Sequence, residues 1–91
     1  MSTDLAVVAE SMPPGTAEVA HRHERANQFF FVLSGELTIM FDHEEVRVKA
    51  QSGISVPAGT VHQARNDGRV SVTFLATAGP SNVGDRIDQA R

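Results

Sequence analysis

His21, His23 and His62 are three of only four histidines in the chain, and their settings are the ones in which chemistry could be done. On a β-strand, residues two apart project from one face, roughly 6–7 Å apart along the chain. His21 and His23 can therefore share one cation, although the pair taken alone suits two satisfied surface histidines better. The third histidine closes the run Pro57-Ala58-Gly59-Thr60-Val61-His62, and Asn66 follows after three more residues. Pro57 and Gly59 set a tight corner that opens the next strand on His62 and aims its ring back into a barrel. A third histidine is thus placed where it could join the pair. His43 follows Asp42 in a turn and reads as a solvated residue. Cysteine is absent, which excludes disulfides, thiolate zinc sites and cysteine nucleophiles, so a metal here takes nitrogen and oxygen ligands.

The elements that must carry these side chains read as strands. Leu37, Ile39 and Phe41 share one face and Glu36, Thr38 and Met40 the other, while Val46 and Val48 alternate with Glu45, Arg47 and Lys49. That period of two marks half-buried strands. Val70, Val72, Phe74 and Ala76 alternate with Ser71, Thr73 and Leu75, and the preceding Asp67-Gly68 reads as a hairpin turn. Pro13-Pro14-Gly15, Ser34-Gly35, Asp42-His43 and Pro57-Ala58-Gly59 punctuate the apolar runs, as in a sandwich or barrel of short strands. The expected fold class is all-β. In Gln28 to Leu33, Phe30 and Val32 fall on one face and Phe29, Phe31 and Leu33 on the other. Both faces call for burial, one inside the barrel and the other against a second layer or a second copy of the chain.

At 91 residues the chain suits one domain, 1–91, with a barrel core at 12–78 and a polar, loose tail at 79–91. So short a chain buries only about 60–65% of its unfolded surface, which makes a homodimer the expected state. The formal net charge of −3, with Lys and Arg scattered, argues against nucleic acid as a partner. Met1 to Glu10 lacks the basic head and apolar stretch of a signal peptide, and no apolar run is long enough to span a bilayer. A soluble, cytoplasmic protein with no membrane partner is expected.

The spacing of these residues resembles the two motifs of the cupin superfamily, in its small single-domain, RmlC-like form. Gly15, His21, His23 and Gly35 match the first motif, with Gln28 standing at the place of its glutamate. Pro57, Gly59, His62 and Asn66 match the second, in which Gln51 replaces the first glycine and Gly53 is expected to serve that turn. The resemblance implies a double-stranded β-helix, or jelly roll, usually dimeric, with a metal in its wider mouth. Carried over by position, the ligands are His21, His23, Gln28 and His62. Glu24 directly follows His23 and should point to the opposite face, so Gln28 is the preferred fourth ligand. A neutral amide in place of a carboxylate leaves the ion its full charge, and zinc, nickel, iron, manganese and copper all remain candidates.

The resemblance is compatible with a dioxygenase or isomerase acting on a small molecule. The alternative is a non-catalytic binding or sensing module, or a dimeric accessory protein. Against an enzyme stands the lack of an evident general base: Glu36, after a turn, reads as solvated. Phe30, Val32, Ala64 and Phe74 are the expected pocket lining, with Arg65 facing away, which favours a small, partly apolar ligand.

Overall fold

The structure, a computed structural model, describes residues 5–80 and 85–88. Nine strands follow one another: β1 (Ala6–Met12), β2 (His21–His23), β3 (Asn27–Ser34), β4 (Glu36–Met40), β5 (Glu45–Lys49), β6 (Gly53–Val56), β7 (Gln63–Arg65), β8 (Val72–Gly79) and β9 (Arg86–Asp88). One sheet has the order β1-β8-β3-β6 and a second β5-β4-β7. A bridge between His21 and His62 carries the second sheet onward to the antiparallel pair β2-β9. No helix among the described residues is long and apolar enough to cross a membrane.

Alternation decides which side chains meet between the layers. The first sheet contributes Phe30, Val32, Val56, Val72 and Phe74, the second Leu37, Ile39, Val48 and Ala64, and together they form one buried core. Burying a side chain of this size is worth about 1.5–3 kcal/mol, so this cluster is what holds the layers in register. The opposite face of β3 is left without cover: Phe29 and Leu33 are each 41% exposed. Arg65 points outward, as its alternation with Ala64 requires, and pairs with Glu45 at 3.1 Å and Asp67 at 2.8 Å.

Three expectations are corrected. Asp67-Gly68 does not close a hairpin, because β7 pairs with β4 whereas β8 pairs with β1 and β3. The segment instead crosses from one sheet to the other, with Val70 exposed outside any strand. It is the buried Asn66 side chain that shapes it: Nδ2 donates to Met12 O at 2.9 Å and Val70 O at 2.8 Å, and Oδ1 accepts from Gly68 N at 2.9 Å. Second, Gln51 itself takes the left-handed conformation (φ 66°) expected of Gly53. Its backbone N–H donates to Val32 O at 2.7 Å and its Nε2 to Leu33 O at 3.3 Å, which holds a non-glycine residue there. Gly53 is needed for closeness, since a Cβ would lie 2.3 Å from Phe29 Cζ and 2.9 Å from Phe30 O. Third, part of the supposed loose tail is structured: residues 85–88 return to the barrel and β9 pairs with the His-x-His strand. Residues 81–84 and 89–91 of that tail, and 1–4 of the N-terminal segment, lie outside the described residues.

Candidate metal centre

Backbone pairing brings the two histidine-bearing segments together. Gly15 N donates to Asn66 O, Asn66 N to Thr16 O and Glu18 N to Ala64 O, and His21 and His62 exchange both bonds at 2.9 Å. Residues 15–21 thus run antiparallel to 62–66. The Pro57–Thr60 turn, closed by Thr60 N to Pro57 O, is pinned to β2 where Gly59 N donates to His23 O at 2.7 Å. All three histidines are buried. Ring centroids are 4.6 Å apart for His21 and His62, 5.1 Å for His21 and His23, and 6.3 Å for His23 and His62. Gln28 enters from β3, between Val56 and Ala78 in register, and is also buried.

The hydrogen bonds leave particular atoms without partners. His21 Nδ1 lies 2.7 Å from Val19 O and His62 Nδ1 lies 2.9 Å from Thr60 O. Each Nδ1 therefore donates its proton to a carbonyl, and in the neutral ring each Nε2 keeps its lone pair, the tautomer a metal-ligating imidazole needs. His62 Nε2, His23 Nδ1 and Gln28 Oε1 are buried with no hydrogen-bond partner. Buried polar atoms are seldom left so, because each costs about 1–3 kcal/mol. With Glu18, His21 and His62 offering ligand atoms within 4.8 Å of one another, and His23 and Gln28 adding unpartnered buried atoms beside them, the residues present fit a divalent metal.

Burial lowers the pKa of His21, although the bond to Val19 O opposes the shift. Burial, then the neighbouring His21 and His62, lowers that of His23. Burial lowers that of His62 against the bond to Thr60 O. All three are therefore neutral near pH 7, as ligation requires.

The surroundings are more acidic than the sequence indicated. Glu18, His21 and His62 each offer one ligand atom within 4.8 Å of the others. Glu18 Oε1 accepts from Ala64 N at 3.2 Å, and Glu18 O accepts from Gln63 Nε2. A cavity of about 210 Å³ opens on His21 and His23 and is lined with them by Glu10, Glu18, Gln28, Phe30 and Arg86. Burial raises the Glu18 carboxyl pKa, partly offset by the Ala64 N–H, and burial together with the Glu18 charge raises that of Glu10. Glu10, Glu18 and Arg86 were not singled out from sequence. Of the expected lining only Phe30 faces the cavity; Val32, Ala64 and Phe74 fill the closed core below it. Glu24 is exposed, Glu36 pairs opposite Lys49 and His43 is exposed, so none of these enters the site. A larger groove of about 410 Å³, lined by Leu5, Phe29, Ser55 and Pro57 among others, has no ionisable side chain in its walls.

Asp85 secures this end of the barrel. Its carboxylate accepts from Arg25 N at 3.0 and 3.1 Å and from Ala26 N at 2.9 Å, and its carbonyl accepts from Glu24 N. Burial pushes its pKa up, but the N–H donors of Ala26 and Arg25 outweigh this and hold it below 3.8. A depressed carboxylate stabilises the fold above the unfolded pKa and loses that contribution as pH falls through the folded value. The histidines act at higher pH, because the unfolded chain takes up protons first once pH drops below 6.5. The histidine contribution should thus be lost from pH 7 to 5, offset in part by the raised carboxyls of Glu10 and Glu18, and that of Asp85 should be lost as an acid limb below about pH 4. Melts of Asp85→Asn between pH 7 and 3 should lose only the acid limb; an unchanged acid limb would remove Asp85 from this role.

Comparison with known proteins places this geometry in a family. The Cupin domain family model matches residues 8–77. Over 61 residues the chain is 36% identical to a quercetin 2,3-dioxygenase of Bacillus subtilis, covering 67% of this chain and 18% of that enzyme. It is 29% identical over 65 residues to an oxalate-binding protein of Thermotoga maritima, covering 71% of this chain and 54% of that protein. The chain therefore spans only a fraction of these relatives' length. A Klebsiella pneumoniae protein with a double-stranded β-helix domain superposes with a TM-score of 0.87 at 25% identity, covering 99% of this chain and 78% of that one. The chain belongs to the cupin family, and its fold is the all-β double-stranded β-helix.

Proposed function

We propose that His21, His23, Gln28 and His62 hold a divalent transition metal, and that the site serves oxidoreductase or isomerase chemistry on a small molecule. The observation that carries this reading is that His62 Nε2, His23 Nδ1 and Gln28 Oε1 are buried without hydrogen-bond partners, with His62 offering a ligand atom within 4.8 Å of those of His21 and Glu18. When bound there, a divalent ion acidifies water and polarises carbonyl or enediol oxygens. The chain's own residues supply the rest. Glu18, its carboxyl beside His21 and His62, is placed to take a proton from a substrate carbon or hydroxyl and return it. Glu10 stands at the rim as a second acceptor, and Phe30 walls the floor against water. Two carboxylates facing the cavity favour an enzyme over a closed binding module, for which no proton acceptor is needed.

Gln28→Glu tests the ligand set. A carboxylate in place of the amide should keep metal bound and shift preference toward harder ions such as manganese or iron(II). Competition of these ions against zinc reads the shift; an unchanged order would mean that Gln28 is not a ligand and would favour Glu18 in its place.

We further propose that the uncovered face of β3 pairs two copies of the chain. Phe29 and Leu33 lie on it, half-buried Phe31 stands between them, and the neighbouring strands add Val7, 56% exposed, and Leu75. Sedimentation should give a dimer that Phe29→Glu dissociates; a monomeric parent chain would contradict the pairing.

A further inference from the structure

The cavity above the histidines continues into a second space of different character. A notch of about 60 Å³ adjoins it, with Glu10 and Gln28 common to both, and its walls are Ala6, Val8, Ala76 and Ala78 with Thr77. Val8 belongs to the inward-facing set of β1, opposite Ala76, yet it is 53% exposed. Alanines at these positions leave an apolar shelf that larger side chains would fill. At the other end stands Arg86, brought opposite His23 by the β2-β9 pairing. Its Nε donates to Asp88 Oδ1 at 2.7 Å. Arg86 makes no ion pair with Glu10 or Glu18 among the described residues, although all three line the same cavity. Its remaining N–H donors form the fork that matches a carboxylate.

Resting on the metal-centre reading above, we propose that the ligand is a small organic anion whose carboxylate is held by Arg86 and whose apolar remainder lies on the shelf of Val8, Ala76 and Ala78. The cavity of about 210 Å³ has room for about seven water volumes, which limits the ligand to a small molecule. Arg86 is thereby a specificity-determining residue, supplied by a strand far from the histidine motifs in the chain.

Calorimetric titration of the zinc-loaded chain with hexanoate, hexanamide and propionate tests this, with zinc content measured on every sample. Hexanoate should bind at least about tenfold tighter than hexanamide, the worth of a hydrogen bond to a charged group. It should also exceed propionate by at least about tenfold, for three methylenes removed from water. Arg86→Gln should abolish the preference for acid over amide while zinc content stays level, and Arg86→Lys should restore part of it. Ala76→Leu should erase the advantage of hexanoate over propionate. Equal binding of acid and amide, binding of neither, or an intact preference in Arg86→Gln would overturn the proposal with the metal site untouched. A chain that takes up no zinc yet shows the Arg86-dependent preference would uphold the anion site and sink the metal reading alone.

Discussion

His62→Ala is expected to lose its metal. The ring is buried, its Nδ1 is committed to Thr60 O, and its Nε2 has no partner within the protein. Removing an outer hydrogen-bond partner of a ligand typically weakens metal binding about 10–100-fold, and removing a ligand itself should weaken it by at least about 100-fold. The metal-free fold should respond differently. Truncation opens a cavity beside Phe30, which destabilises, but it also deletes an unsatisfied buried acceptor, which stabilises. The two effects oppose, so the melting temperature of the metal-free variant should stay close to that of the parent. With metal at about 1,000 times the parent's dissociation constant, the parent should gain about 4 kcal/mol and the variant at most about 1.4 kcal/mol. Melts with and without added zinc read this difference. Full metal retention in His62→Ala would remove the residue from the ligand set.

Asn66→Ala should produce the largest loss of stability. Asn66 is 1% exposed, and its amide serves three backbone groups from two segments: Met12 O, Val70 O and Gly68 N. Alanine would strand all three, two of them carbonyls that join the end of β1 to the crossover before β8. Each unsatisfied buried group costs about 1–3 kcal/mol, and partial rescue by water brings the expected total to about 2–4 kcal/mol. In a domain of this size that lowers the melting temperature by about 10–30 °C. The backbone of Asn66 also pairs with Gly15 and Thr16, so the segment bearing Glu18 and His21 should loosen with it. A loss under about 0.5 kcal/mol, the range of ordinary surface substitutions, would show that the crossover holds without this side chain.

The sequence made the strands legible where apolar residues alternate, as in Glu36–Met40 and Glu45–Lys49, because one face is buried there and the other is not. The positions of His21, His23 and His62 were legible from motif spacing; all three are buried with Gln28, and His21, His23 and Gln28 line one cavity while the His62 ring packs against His21. Glu18 was not legible, since it sits in an irregular stretch between Gly15 and β2 where the parity of a strand gives no direction. Glu10 closes a run of mixed residues, and its inward direction is set by pairing with Phe74, a register that no local pattern records. Arg86 lies in a polar segment, and its three-residue strand exists only because β2 offers an edge and Asp85 anchors the turn. Asp67-Gly68 misled for the opposite reason. The dipeptide is a strong local turn signal, but Asn66 captures it from outside and directs the chain into the other sheet.

The metal content of the chain tests the site most directly. Protein purified without a histidine tag and without chelators, measured by elemental analysis, should carry about one divalent ion per chain, held by neutral histidines and one amide. Protein that arrives empty and then fails to bind added iron, manganese, nickel, copper or zinc would contradict the metal centre. The unpartnered buried atoms of His23, Gln28 and His62 would then need other partners.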